Sequence, residues 1–267
     1  MTPARAAAEG AAIVLLLAAA GCAQPPAAAN DSREIRTESD QSNADRRARV
    51  RLELASAYLG RGQTTTALDE VKLALAAKPD LPDAYHLRGL IYASLGEPKL
   101  AEESFQRGLQ LAPRDADAMH NFGWFLCQQR RFAEADAMFQ SALAQPQYRD
   151  MQRTMFAQGI CHARAGQWPE AERSLMRAYE LDPANPATAF NLSDVLYRRG
   201  DYERARFYIQ RVNGVPEQSN AQSLWLAARI ERRVGNAAAV QDIGRRLRER
   251  FPQSPEALAY EQGRFDE

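Results

Sequence analysis

The chain has 267 residues, 34 Lys+Arg against 34 Asp+Glu, and is 45% hydrophobic and 25% charged. That balance excludes the basic excess that tracks a phosphate backbone, so nucleic acid is not expected as a partner. Gly and Pro number only 15 and 14, and Ala, Leu, Arg, Glu and Gln outweigh Val and Ile, which favours helix over strand.

The first predicted element is an export signal over residues 1–21. "MTPARAAAEGAAIVLLLAAAGC" sets Arg5 before an apolar run from Ala11 to Ala20 and ends on Gly21-Cys22. The run is too short to span a bilayer, which takes roughly 20 apolar residues. Ordinary signal cleavage after small residues is one reading. The other is a resemblance to the bacterial lipobox, whose cysteine, here Cys22, is lipidated and becomes the first mature residue; Ala19 stands where that motif usually has Leu. Several acyl chains, at about 0.8 kcal/mol per buried methylene, would hold the protein to a membrane. Ala23 after the cysteine implies, by resemblance to lipoprotein sorting, the outer membrane. Residues 22–47 carry two prolines, no aromatics and almost no large apolar side chain. Such a segment cannot offset its ordering entropy and is expected to be a flexible tether.

From residue 48 the chain repeats itself. Small residues recur at Ala55, Gly89, Gly123, Gly159, Ser193 and Ala227, and a second series reads Ala67, Ala101, Ala135, Ala171, Ala205 and Ala239, both with spacings of 34, 34, 36, 34 and 34. Turn glycines fall between them at Gly62, Gly96, Gly166, Gly200 and Gly235, and prolines close most units at Pro79, Pro113, Pro183 and Pro216. The pattern resembles the tetratricopeptide repeat, two helices in 34 residues with small residues at unit positions 8 and 20. Six units fit: 48–81, 82–115, 116–151, 152–185, 186–219 and 220–253. The expected fold is all-α, a right-handed α-solenoid with a concave surface lined by the first helix of each unit. Bulky residues at position 11 (Tyr58, Tyr92, Leu126, Leu196) and position 24 (Val71, Phe105, Phe139, Leu175, Tyr208, Ile243) should fill the space beside each small-residue contact. His162, also at position 11, reads as a core filler.

The third unit has two extra residues in "ALAQPQYRDM", which should lengthen a loop only. The sixth, "RIERRVGNAAAVQDIGRRLRER", has seven Arg against three acidic residues. Two readings stand, an anionic partner or the solvated outer face that a terminal repeat needs, and the second is preferred. Residues 254–267 are assigned to a C-terminal tail.

No phosphate-binding glycine loop, H-E-x-x-H or C-x-x-C motif is present. No catalytic residue, cofactor, metal or small-molecule substrate is therefore expected. Cys161 and His162 are adjacent, and on a helix adjacent side chains diverge by about 100°, so they do not make a nucleophile and base. Cys127 and Cys161 fall on the first helices of neighbouring units; in an oxidising periplasm a bridge is expected, with two separate buried thiols as the alternative. On the concave side, position 5 reads Leu52, His86, His120, Phe156, Phe190 and Leu224, and position 9 reads Ser56, Leu90, Trp124, Ile160, Asp194 and Ala228. Inter-repeat packing accounts for part of position 5. An apolar stripe in the middle units otherwise marks a partner-binding face made of Leu52, His86, Leu90, His120, Trp124, Phe156, Ile160 and Phe190, with Trp124 the expected hot spot.

The export signal, the six units and three runs, "HNFGWFLCQQRRFAEADAMFQSAL", "GICHARAGQWPEAERSLMRAYELDP" and "SLWLAARIERRVGNAAAVQDIGRRLRERFPQSPE", are similar to the type IV pilus biogenesis and stability proteins of the PilW type. The resemblance covers essentially the mature chain. It implies a non-enzymatic outer-membrane lipoprotein, a pilotin whose partner is the pilus secretin, which it helps to reach the membrane and multimerise. The chief alternative is another lipid-anchored scaffold, recruiting peptidoglycan enzymes or outer-membrane assembly factors. A further alternative is an enzyme with an unrecognised site.

Overall fold

A computed structural model of the chain describes residues 43–265; the expected signal segment, Cys22 and most of the expected tether lie outside the described residues. Among the described residues there are thirteen helices and no strand. They alternate as first and second helices of six units: α1 (Asn43–Gly60) with α2 (Thr64–Ala77), α3 (Pro82–Ser94) with α4 (Pro98–Leu111), and α5 (Ala116–Gln128) with α6 (Phe132–Leu143). They continue as α7 (Met151–Arg164) with α8 (Trp168–Leu181), α9 (Pro186–Arg198) with α10 (Tyr202–Asn213), and α11 (Ala221–Arg233) with α12 (Ala237–Arg250), followed by α13 (Pro255–Glu261). Each helix packs on the next in sequence, and each first helix also touches the first helix of the following unit. The chain is the expected tetratricopeptide α-solenoid.

The small-residue contacts explain why the helices of a unit approach so closely. A methyl group added at Gly89 would lie 2.8 Å from the Phe105 ring, and one at Gly159 2.6 Å from Leu175. Ser193 takes the same place and donates its hydroxyl to the Ala205 carbonyl at 2.8 Å, so the contact is polar there but equally tight. Phe105, Phe139, Leu175 and Leu196 are fully buried beside these points, each contributing about 1.5–3 kcal/mol by area removed from water.

Turns follow the glycines, which sit at φ between 73° and 82° in five units. The third unit has no glycine there. Arg130 takes the left-handed conformation instead, at φ 62°, a strained place for a residue with a Cβ.

Two boundaries and one side chain differ from the sequence reading. Residues 43–47, assigned to the tether, are the first turn of α1, because Asp45 accepts an ion-paired hydrogen bond from Lys78 at 2.7 Å and Ala48 is buried. Within the region assigned to a tail, Pro255–Glu261 forms α13, capped by the Ser254 hydroxyl, which accepts from Ala257 N–H at 3.1 Å. Packing on α11 and α12, α13 continues the series of first helices. His162 is not an apolar filler. Its Nε2 lies 3.2 Å from Asp136 and its Nδ1 2.8 Å from Gln167.

Candidate functional site

The first helices bring the expected partner-binding residues onto one face, but at different depths. At the N-terminal end, Arg49, Leu52, Glu53 and Ser56 of α1 and Asp83, His86, Leu87 and Leu90 of α3 line a pocket of about 300 Å³. These are unit positions 2, 5, 6 and 9 of two successive repeats, so the pocket is the groove between neighbouring first helices. Leu52, Leu87 and Leu90 give it an apolar floor, and Arg49, Glu53 and Asp83 a charged rim. Leu87, at position 6, was not among the expected residues, yet it lines the pocket with them.

Leu90 and Trp124 pack against one core cluster, built on Phe105, Phe122, Phe125 and the two cysteines. Phe156, Ile160 and Phe190 pack against the next, which runs through the last three units. All five are half-buried. The stripe is thus continuous with the core, each side chain giving one flank to packing and one to the groove. Trp124 is less exposed than the sequence suggests. The Arg164 guanidinium also covers it, 4.9 Å from the ring centroid, a cation–π contact.

His120 is a correction. It is only 4% exposed and lies within hydrogen-bonding distance of Thr154, Nδ1 to Oγ1 at 2.8 Å, while Thr154 meets the Tyr148 hydroxyl at 2.6 Å. Tyr148 lies in the loop that the two extra residues lengthen, so Thr154 ties that loop to the histidine, whose burial removes it from the exposed face. Burial is the main reason its pKa is pushed down from 6.5 to about 4, helped by the Arg153 and His86 charges. The ring is neutral at ordinary pH.

His86 stays at the groove. Its Nε2 accepts from the Asn121 amide at 2.7 Å, and Asn121 Oδ1 accepts from Arg153 at 2.9 Å, a polar ladder across α3, α5 and α7. Burial lowers the His86 pKa as well. Cys127 of α5 and Cys161 of α7 are joined by a disulfide with alpha carbons 5.8 Å apart, behind Trp124 in the same cluster.

A run of stacked helix pairs presenting an apolar stripe and a charged-rimmed groove defines a tetratricopeptide-repeat scaffold, a class that binds protein partners. Tetratricopeptide-repeat family models match residues 82–115, 121–186 and 162–230. The chain is 28% identical over 205 residues to the type IV pilus assembly protein PilF of Pseudomonas aeruginosa, covering 77% of this chain and 81% of that one. The crystal structure of PilW, a type IV pilus biogenesis factor, superposes with a TM-score of 0.73 at 30% identity, covering 79% of this chain and 97% of PilW. The structure of Pseudomonas aeruginosa PilF gives a TM-score of 0.72 at 25% identity, covering 83% of this chain and all of that one. The chain belongs to the PilF/PilW family of type IV pilus biogenesis proteins.

Proposed function

We propose that this protein is a non-enzymatic pilotin, anchored to the periplasmic face of the outer membrane through a lipidated Cys22, which binds the pilus secretin and promotes its delivery and multimerisation. The observation that carries the binding role is the groove between α1 and α3, where Leu52, Leu87 and Leu90 form an apolar floor inside a charged rim. An extended or helical secretin segment laid along the first helices would bury those leucines and the open flanks of Trp124 and Ile160. A few such anchors supply most of the energy of a protein interface. The lipid supplies location and the groove supplies selectivity.

The testing experiment is a deletion strain examined for secretin state. Secretin monomers should accumulate and multimers disappear, with both restored by the full chain. Normal multimers in the deletion strain, with altered cell shape instead, would assign the chain to a different periplasmic scaffold.

A further inference from the structure

The series of first helices changes at α13. First helices α3, α5, α7, α9 and α11 have 13 or 14 residues, whereas α13, which takes the place of the next first helix, has seven. It runs back along α12 only as far as Gly244, where the Tyr260 ring occupies the space a methyl group would need. What remains is a cleft of about 550 Å³ floored by Ala237, Val240 and Gln241 of α12 and walled by Arg232, Tyr260 and Phe265.

Its charge is specific. The Arg232 guanidinium stands 4.5 Å over the Phe265 ring, Phe265 meets Tyr260 edge-on at 5.7 Å, and Arg248 lies 5.9 Å from the Tyr260 ring. Neither Arg232 nor Arg248 has an ion-pair partner among the described residues, although most other arginines of the last unit are tied down. Arg245 pairs with Asp242 and Glu249, Arg246 and Arg250 donate to the Asn213 and Pro216 carbonyls, and Arg229 donates to that of Phe265. Among the described residues that line the cleft, Glu261 is the one acidic side chain. Two cations held on aromatic faces beside an apolar floor complement carboxylates flanking an apolar anchor.

We infer that this cleft is a second docking site, which takes a short acidic amphipathic helix from a partner protein, laid along α12 beside α13. Its apolar face would sit on Ala237, Val240 and Tyr260, and its carboxylates would meet Arg232 and Arg248. The site is separate from the groove between α1 and α3 and does not depend on the secretin reading.

The test is fluorescence anisotropy with the purified mature chain and two amidated probe helices of roughly 14 residues, long enough for partial helicity. One carries leucines along one face and glutamates elsewhere; the other has lysine for every glutamate. The glutamate helix should bind about tenfold more tightly at low salt, as two partly shielded charge pairs provide, and Arg232→Glu with Arg248→Glu should reverse the preference. Gln241→Trp, at an exposed position on the cleft floor, should abolish binding without unfolding the chain, which keeps the test valid if the charge reversals destabilise it. Leu52→Glu with Leu90→Glu, in the other groove, should leave the affinity for both probe helices as it is in the wild type. Equal or absent binding of the two helices, or loss only with the α1/α3 variant, would overturn the inference. So would a concentration-dependent dimer dissolved by the charge reversals with no helix preference, which would give the face to a second copy of the chain.

Discussion

Arg130 occupies a turn position that five other units give to glycine, and its left-handed φ of 62° costs about 1 kcal/mol for a residue with a Cβ. Arg130→Gly relieves that strain and gives back part of the gain as backbone entropy. We predict a net stabilisation of about 0.5 kcal/mol, read as a higher urea midpoint with an unchanged slope. His120 supplies a pH signature. Its folded pKa of about 4 lies below the ordinary 6.5, so the unfolded chain binds more protons between those values. Stability is therefore held above pH 6.5 and lost as pH falls from 6.5 towards 4. His86 acts in the same direction. Urea midpoints of the wild type should fall across that window more steeply than those of His120→Gln. Neither feature was legible in the sequence. Arg130 could be read in the place of the glycine, but not that it would keep the left-handed turn, and nothing in the pattern at position 5 showed that His120 would be buried against Thr154 and, through it, tied to Tyr148.

At the scale of the element, the repeat period revealed nearly every helix, because the small residues at positions 8 and 20 report a steric constraint that recurs once per unit. Its failures lie where the constraint stops. Nothing periodic announces the first turn of α1, held by Asp45 and Lys78, or α13, which has a cap and a proline but, among the described residues, no second helix to pair with. The stripe was legible as a list of positions, and its depth was not: Trp124 is half-buried and packs against the core cluster that holds Phe122 and Phe125. Trp124→Ala should therefore cost about 1–2 kcal/mol, half of a full large-side-chain burial, while Phe122→Ala, stacked on Phe105 at 5.4 Å, should cost about 3–5 kcal/mol. Thermal melts of the two variants check the order. The Cys127–Cys161 disulfide ties α5 to α7 across a separation of 34 residues, and its loss through Cys127→Ser with Cys161→Ser should remove about 2–4 kcal/mol. Mass spectrometry after alkylation without reductant should find no free thiol at either position in protein exported to an oxidising compartment.

For the whole molecule, the solenoid offers two ends with different chemistry, an apolar groove with a mixed-charge rim at α1 and α3 and a cationic aromatic cleft at α11 to α13. In the proposed role the groove must work at a membrane, so Cys22→Ala should leave a chain that folds and binds secretin in solution yet fails to support secretin multimers in cells, as fractionation and immunoblotting would show. A Cys22→Ala chain that still fractionates with the outer membrane and supports pili would refute the lipid anchor. The central claim, that the secretin is held in the groove of the first helices, is tested most directly by titrating purified secretin onto the mature chain and onto Leu52→Glu with Leu90→Glu. Both leucines are half-buried at the pocket, so the variant should keep a cooperative melt. The account predicts at least about a tenfold loss of secretin affinity, the equivalent of roughly 1.4 kcal/mol, in a chain that remains folded; unchanged affinity in that folded variant would contradict it.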